Sequence, residues 1–334
     1  MVRFTSRDWL VIPCVIAMLL LLTSCARLGP KTVKSGRNSY NEALNTTEME
    51  QLLLNIVRFR FTDSPYFLKI SSISSTVESS VSLGGSEDKG FLGNFQYKEK
   101  PTMIYAPLGG KDFVQQLLNR IDLDKIFLLT GAGWEIDDVL RLFTNSINGI
   151  KNAPNAAGPT PEVIPKFKKF QQIADIFDRL DDQSAIIVAP PEGGGDIDEL
   201  VLFISQDDRK TQAAIELFEL LGLNPDAPSY RLRIGLGKKQ HNSNEIVNET
   251  RPIMGTMFFI SQVVQVPDEM LDSGHVHINH PEGKKTYDWH PLLEDLFEVK
   301  SSADKPDNPY LAVHYKDYWF YIDNSDTPSK ETVV

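Results

Sequence analysis

Three histidines, His275, His277 and His280, form the only histidine cluster of the chain. On a strand, His275 and His277 point to one face, and an imidazole pair suits zinc or copper. His280 falls on the opposite face unless the strand ends, and neither a cysteine nor an HExxH motif accompanies the cluster. A polar, exposed hairpin therefore explains these residues better than a metal site does. We predict no metal and no cofactor.

The run Glu192-Gly193-Gly194-Gly195-Asp196 has the glycine content of a phosphate-binding loop but lacks its chemistry. A P-loop requires Gly-Lys-Ser/Thr leading into a helix, whereas acids flank these glycines and a strand is predicted to follow. We interpret the run as a connecting loop. Nucleophilic catalysis has no better support, since Gly-x-Ser-x-Gly is absent and no Ser-x-x-Lys opens a plausible helix.

Adjacent aspartates occur at three places, which are Asp137-Asp138, Asp181-Asp182 and Asp207-Asp208. Each pair falls at a helix start or a turn, where acids cap the helix or are solvated. A glycosidase uses two carboxylates that converge only in three dimensions, so sequence spacing does not reveal such a pair. A hydrolase therefore stays open as an alternative.

The densest aromatic segment runs from Tyr315 to Tyr321. On a strand, Tyr318 and Phe320 face one side, and Trp319 and Tyr321 face the other. One interpretation is an edge strand that buries both faces between a sheet and a helix. The other is an exposed aromatic strip that binds a partner or a glycan, for which the candidate residues are Tyr318, Trp319 and Tyr321.

Apolar periodicity places these candidates on a mixture of helices and strands. Helical spacing is found before Arg60, through much of 111–150, and around 167–177, 211–221 and 254–264. Alternation or β-rich composition predicts strands at 66–73, 76–83, 95–105, 185–189, 200–204, 230–236, 276–278, 310–314 and 318–322. Because the chain has neither a fixed repeat nor regular β–α alternation, we predict an α+β fold. A mixed or antiparallel sheet would pack with several amphipathic helices.

The N-terminus has the layout of a secretory signal, with Arg3 and Arg7 before an apolar run and small residues after it. Leu22-Thr23-Ser24-Cys25 resembles the lipobox of bacterial lipoproteins, in which the cysteine is lipidated and becomes the mature N-terminus. The alternative is an uncleaved transmembrane helix, which Pro13 within the apolar run disfavours. We expect lipid attachment at Cys25, and a membrane association through that anchor.

Cleavage before Cys25 would remove Cys14, so the mature chain would contain no disulfide. In lipoproteins of diderm bacteria, an Asp after the lipidated cysteine retains the protein at the inner membrane. Ala26 occupies that position here, which favours the outer membrane with the domain facing the periplasm. The net charge of −11 repels phosphate backbones, so we expect no nucleic-acid partner.

Several stretches resemble an uncharacterised family of proteobacterial lipoproteins. The matching stretches are Leu52-Leu53-Leu54-Asn55-Ile56-Val57-Arg58, Asp63-Ser64-Pro65, Pro101-Thr102-Met103-Ile104-Tyr105, Pro107-Leu108, Gly133-Trp134, Ser146-Ile147-Asn148-Gly149 and Tyr318-Trp319-Phe320-Tyr321-Ile322-Asp323. Asp317 departs from the glycine that this family commonly has before the aromatic run. The resemblance implies no catalytic residues, because the family has no established activity.

These observations predict four regions. They are a signal peptide at 1–24, a lipidated N-terminus and flexible tether at 25–39, a globular region at 40–324 with a sub-division near 151–165, and a tail at 325–334. The leading hypothesis is a non-enzymatic binding or structural role in an envelope assembly, with an envelope protein as partner. A hydrolase acting on peptidoglycan or glycans is the alternative, and metal binding through the histidines is the third.

Overall fold

The computed structural model describes residues 28–86, 90–158, 164–191, 199–235, 242–272, 274, 276, 287–293 and 295–333. The described part is α+β, as predicted. In chain order its helices are α1 (Leu28–Arg60), α2 (Lys111–Leu118), α3 (Leu123–Gly131), α4 (Ile136–Phe143), α5 (Lys168–Asp182), α6 (Gln212–Leu221), α7 (Ile253–Ser261), α8 (Asp268–Asp272), α9 (His290–Leu293) and α10 (Thr327–Val333). Two short 3-10 turns cover Pro154–Ala157 and Asp208–Lys210.

The strands form three separate sheets. They are β1 (Phe67–Ser86), β2 (Gly90–Leu108), β3 (Thr144–Ile147), β4 (Ile150–Lys151), β5 (Ile186–Ala189), β6 (Glu199–Ile204), β7 (Tyr230–Ile234), β8 (Glu245–Thr250), β9 (Lys300–Ser302), β10 (Leu311–Tyr315) and β11 (Tyr318–Ile322). The largest sheet has six strands in the order β4-β3-β8-β7-β6-β5, with β7 and β8 parallel and its other pairs antiparallel.

Helix α1 begins earlier than the sequence predicts. It starts at Leu28, so the expectation of a flexible tether up to residue 39 is wrong for the described part of that segment. Pro30 and Gly36 both lie within this helix, and a glycine in a helix costs only about 1 kcal/mol relative to alanine. The hydroxyl of Thr47 donates to the carbonyls of Ala43 and Leu44 within the helix.

The end of α1 agrees with the sequence prediction. Its last apolar residues are buried, with Leu53, Ile56 and Val57 at 0% exposure, and the helix ends just before Asp63-Ser64-Pro65. The described chain divides into two compact units within this helix, with residues 28–52 in one unit and Leu53–Val333 in the other.

Strands β1 and β2 form a long two-stranded ribbon. The sequence predicts two short strands in 66–83, whereas the structure joins them in one strand paired antiparallel to β2, with an irregularity between Ile70 and Ser72. Pro101 lies opposite Ser75, and both strands of a two-stranded ribbon are edge strands, where proline is tolerated. At the ribbon base, Asn55 donates to the carbonyl of Tyr66 and accepts from its N–H, at 3.0 and 2.8 Å.

The main core lies between the six-stranded sheet and helices α3 to α6. One buried cluster draws residues from α3 and α4 before the 151–165 stretch and from α5, α6 and the strands after it. Its members include Leu123, Val139, Phe170, Leu217 and Leu232. The sub-division expected near 151–165 therefore does not separate two cores. Helix α6 ends as predicted, with Gly222 in the left-handed conformation at φ 65°.

The C-terminal sheet has the order β10-β11-β9, so β11 is its central strand. The edge-strand interpretation of the aromatic segment is therefore wrong. The tail expected at 325–334 is also wrong for its described residues, because α10 packs on the protein. Ser329 is 1% exposed, its hydroxyl accepts from the N–H of Glu298 at 2.8 Å, and Thr332 donates to the carbonyl of Leu296 at 2.7 Å.

Candidate functional site

The predicted aromatic strip lies on the central strand of the C-terminal sheet. The two faces of β11 differ, since Phe320 and Ile322 are fully buried while Trp319 and Tyr321 are each half-buried on the opposite face. Neighbouring strands place His314 and Ser302 beside Trp319, and Ala312 and Lys300 beside Tyr321. These six residues are called the aromatic face below.

Trp319 is held in place on this face by two neighbours. Its ring centroid lies 5.2 Å from that of His314, at an interplanar angle of 64°. The ammonium of Lys305 lies 5.3 Å from the Trp319 ring centroid, within the range of a cation–π contact. A large aromatic side chain that keeps part of its surface exposed on a sheet is the type of residue that dominates protein–protein binding energy.

Tyr318 does not belong to the aromatic face, although the sequence grouped it with Trp319 and Tyr321. It lies on the opposite side of β11, where its hydroxyl donates to a carboxylate oxygen of Glu269 at 2.6 Å. This hydrogen bond raises the pKa of Tyr318. Its polar group is therefore used within the protein, and the partner-binding prediction is kept for Trp319 and Tyr321.

The sheet beneath the aromatic face is anchored to the rest of the compact unit. Phe61 packs edge-on against Phe320, with ring centroids 5.8 Å apart, and against Tyr315 at 5.7 Å. The hydroxyl of Tyr315 donates to Asp63, and burial together with this bond raises the pKa of Tyr315 to about 12. Because the side chains of such an anchored sheet are already ordered, they lose little conformational entropy when a partner binds.

The other sequence candidates fall outside the described residues or do not converge. His275, His277, His280, the run Glu192–Asp196 and Cys25 all lie outside the described residues. Asp181 and Asp182 lie at the C-terminal end of α5, and Asp207 and Asp208 lie at a 3-10 turn. The two pairs therefore lie on different elements of the described structure and form no common site.

Asp137 and Asp138 do form part of a larger acidic cluster at the start of α4. With Glu135 they place three carboxylate oxygens within 4.8 Å of one another, a spacing that could hold a metal ion. The guanidinium of Arg141 supplies positive charge there, 3.8 Å from Asp137 and 3.7 Å from Asp138. Its side chain is only 5% exposed. The two carboxylate oxygens of Asp295 accept hydrogen bonds from the same guanidinium, at 2.6 and 3.0 Å.

Crowding of acids in this cluster changes their proton affinity. Burial and the charge of Asp137 raise the pKa of Asp138 to about 7, against an opposing effect of Arg141. Burial and neighbouring acids raise the pKa of Asp178, on α5, to about 6. The hydrogen bond from Arg141 instead lowers the pKa of Asp295.

Sequence reasoning found Asp137 and Asp138 but missed Arg141 and Asp295. The spacing of four residues between Asp137 and Arg141 was available as a helical ion-pair signal. Asp295 lies 154 residues from Arg141, and nothing in the local sequence connects them.

A polar cavity of about 470 Å³ brings two further carboxylates together. Glu199 on β6 and Glu245 on β8 both line it, and each lies 4.0 Å from the guanidinium of Arg231 on the strand between them. Arg233 also approaches Glu245, at 3.5 Å. These two glutamates thus share their charge with arginines rather than facing an open substrate site as a free pair.

Comparisons with known proteins give no relative for this chain. No family model, no curated protein and no solved structure matches it. The resemblance to proteobacterial lipoproteins therefore stays a prediction. Within the described ranges, none of the helices has both the length and the apolar content needed to cross a membrane.

Proposed function

We propose that this protein is anchored to the outer membrane by a lipid on Cys25, faces the periplasm, and binds a protein partner in an envelope assembly without catalysing a reaction. The location is supported by the lipobox-like residues Leu22-Thr23-Ser24-Cys25 and by Ala26 after them. The binding role is carried by one observation, the aromatic face on the central strand of the C-terminal sheet.

This face has the features of a small binding surface. Trp319 and Tyr321 supply apolar area with few rotatable bonds, and the hydrophobic layer under Phe320 holds them rigid. His314 and Lys305 add polar groups at the edge of the aromatic rings. A partner that covers Trp319 would remove a large half-exposed ring from water, and such rings are frequent binding hot spots.

Photo-crosslinking in living cells tests the binding role. A photoreactive phenylalanine analogue replaces Tyr321, and the matched control replaces Leu128, which is 72% exposed on α3 and remote in sequence. We expect one reproducible protein adduct at position 321 and not at position 128, and Trp319→Ala should reduce its yield about tenfold. Identical adduct patterns at the two positions, or none at 321, would contradict the proposal.

The anchor is tested separately with Cys25→Ser. We expect the unaltered protein to fractionate with outer membranes and to carry a diacylglycerol on its first mature residue by intact mass. The serine variant should lose the lipid and leave the outer-membrane fraction. An unmodified Met1 in the wild-type protein would overturn the anchor without affecting the crosslinking result.

A hydrolase acting on peptidoglycan or glycans is the second candidate, favoured by the raised pKa of Asp138 beside Asp137. A carboxyl group that keeps its proton near neutral pH can act as a general acid. This cluster, however, is not part of the lining of the polar cavity of about 470 Å³. Purified wild type and Asp138→Asn are each incubated with peptidoglycan, and the soluble fragments that are released are measured. A hydrolase that uses Asp138 would release fragments as wild type but not as the variant.

A further inference from the structure

An apolar groove of about 780 Å³ lies beside one edge of the six-stranded sheet. Strand β4, at that edge, provides Ile150, and the segment before α5 provides Ile164 and Phe167. Tyr287 and Pro291 form the opposite wall. The segment before α5 is tied to the chain after β4, because the N–H of Ala153 donates to the carbonyl of Lys166 at 2.9 Å.

Four lysines surround this apolar surface, which is called the lysine groove below. They are Lys151, Lys166, Lys168 and Lys169, and among the described residues that line the groove Asp288 is the only acid. All four lysines are exposed, and none of them makes an ion pair with an acid of the described residues. Asp288 accepts a hydrogen bond from the N–H of His290 at 3.0 Å, at the start of α9. The groove is therefore locally basic in a chain whose net charge is −11.

The position of two of these lysines opposes the local stability of the fold. Lys168 and Lys169 are the first residues of α5, which has no acid in its first turn and no side-chain hydrogen bond from its N-cap residue Phe167. Positive charge at a helix N-terminus is unfavourable, because the helix dipole is positive there. Residues that reduce local stability are typical of a functional surface. An anion bound at this helix N-terminus would offset the unfavourable positive charge of the two lysines.

We propose that the lysine groove binds an acidic peptide segment of a protein partner, with large apolar side chains alternating with Asp or Glu. The apolar floor of Ile150, Ile164 and Phe167 receives one row of side chains. The lysines at the rim meet the carboxylates of the other row. Lysine suits this role because its ammonium is a mobile point charge that follows carboxylates at varied positions.

The open shape of the groove favours a peptide over a single acyl chain. A small ligand normally has most of its surface enclosed, whereas this groove is open to solvent. An extended peptide needs only one of its two side-chain rows covered, and an open groove can cover one row. The inference does not depend on the lipid anchor or on the aromatic face, which lies on a different sheet.

Peptide display on the detergent-solubilised full chain tests this proposal. A random-sequence library is selected on the wild-type protein, and the enriched peptides are measured by isothermal titration calorimetry. We expect the selected sequences to be enriched in Asp, Glu and large apolar residues. Lys151→Gln with Lys168→Gln and Lys169→Gln should weaken their binding about tenfold, because three exposed charge pairs, each of modest strength, are lost.

The matched control removes the same charge elsewhere, with Lys69→Gln, Lys111→Gln and Lys210→Gln, which are exposed lysines outside the groove. This variant should change the dissociation constant by less than about twofold. The proposal is overturned if the selected peptides are not acidic, or if both triple variants bind them equally. Groove-dependent binding to vesicles of phosphatidylethanolamine and phosphatidylglycerol, without peptide binding, would overturn it in favour of a lipid surface.

Discussion

Arg251 is a fully buried cation whose charge meets carbonyl oxygens rather than a carboxylate. Its guanidinium donates to the carbonyls of Arg141 and Leu142 at 2.6 and 2.8 Å, and also to that of Asn152. It lies 3.7 Å from the ring centroid of Phe259, and burial lowers its pKa to about 9. One side chain thus joins α4, the segment after β4 and α7.

Replacing Arg251 with lysine should destabilise the protein although the charge is kept. An ammonium cannot reproduce the planar fork that serves three carbonyls, so buried acceptors lose their donors. We expect the free energy of unfolding in urea to fall by about 2–4 kcal/mol. The control Arg231→Lys, whose side chain is 57% exposed, should lie within about 0.5 kcal/mol of wild type. Equal stability of the two variants would contradict this role.

Asp138 should make the stability of the protein depend on pH. Its pKa is raised from 3.8 to about 7 in the folded state. The folded protein therefore binds more protons than the unfolded chain between these values. The extra proton stabilises the folded state. This stabilisation is complete below pH 3.8 and is lost as pH rises through about 7.

Asp138→Asn should remove this dependence of the unfolding free energy on pH, because the amide side chain of asparagine does not bind or release a proton. The fall in unfolding free energy between about pH 5 and pH 8 should shrink by about 1–2 kcal/mol, allowing for solvent screening of a partly exposed group. The measurement is urea unfolding at both pH values, with Asp112→Asn, an exposed acid in the first turn of α2, as control. An unchanged pH slope in Asp138→Asn would refute the assignment.

At the scale of elements, the turn between β10 and β11 is tighter than its sequence suggests. Tyr315 pairs with Tyr318, so only Lys316 and Asp317 connect the strands, and both have positive φ, at 48° and 68°. Two left-handed residues in succession are typical of the two-residue turn that Asn-Gly forms best. Asp317, with φ of 68°, is therefore strained but keeps the short turn.

Asp317→Gly should stabilise the hairpin by about 0.5–1 kcal/mol, because glycine adopts positive φ without steric cost. Asp317→Ala keeps the loss of charge but not the backbone freedom, so it should be no more stable than wild type. Thermal unfolding monitored by circular dichroism compares the three proteins. If alanine stabilises as much as glycine, charge rather than backbone strain explains the effect.

Gly235 marks a close approach between the end of β7 and β8. A Cβ atom at this position would lie 2.1 Å from a methyl carbon of Val247, which is too close for any side chain. Gly235→Ala should therefore cost about 1–3 kcal/mol of unfolding free energy. Gly131→Ala, at the end of α3 with no atom within 4 Å, should be neutral or stabilising. Adding Val247→Ala to Gly235→Ala should recover part of the loss if the clash is its cause.

At the scale of the whole molecule, the ribbon of β1 and β2 adds little to the core. Its described side chains from Ser74 to Ser80 and from Gln96 to Tyr105 are exposed, including Tyr105 at 56%. Replacing residues 77–99 with a two-residue turn should change the thermal midpoint of the remaining protein by only about 2 °C, because exposed strands bury little apolar surface. A large drop in the midpoint, measured on both proteins at equal concentration, would show that the distal ribbon supports the core.

The sequence predicted individual elements better than their partners. Apolar spacing correctly located the end of α1, the helices α5, α6 and α7, and the strands β10 and β11. It failed for residues 28–39, because a single glycine or proline does not by itself exclude a helix. It failed at the C-terminus because α10 gains its stability from hydrogen bonds to residues near Leu296, which propensity does not record.

By itself the sequence determined the α+β class, because the periods of apolar residues follow from local backbone geometry. It also determined which face of β11 carries Trp319 and Tyr321. Only the tertiary structure decided that β11 is a central strand, that Asp295 grips Arg141, and that four lysines surround one groove. Those facts depend on contacts between residues far apart in the chain, and local spacing carries no information about which distant segments meet.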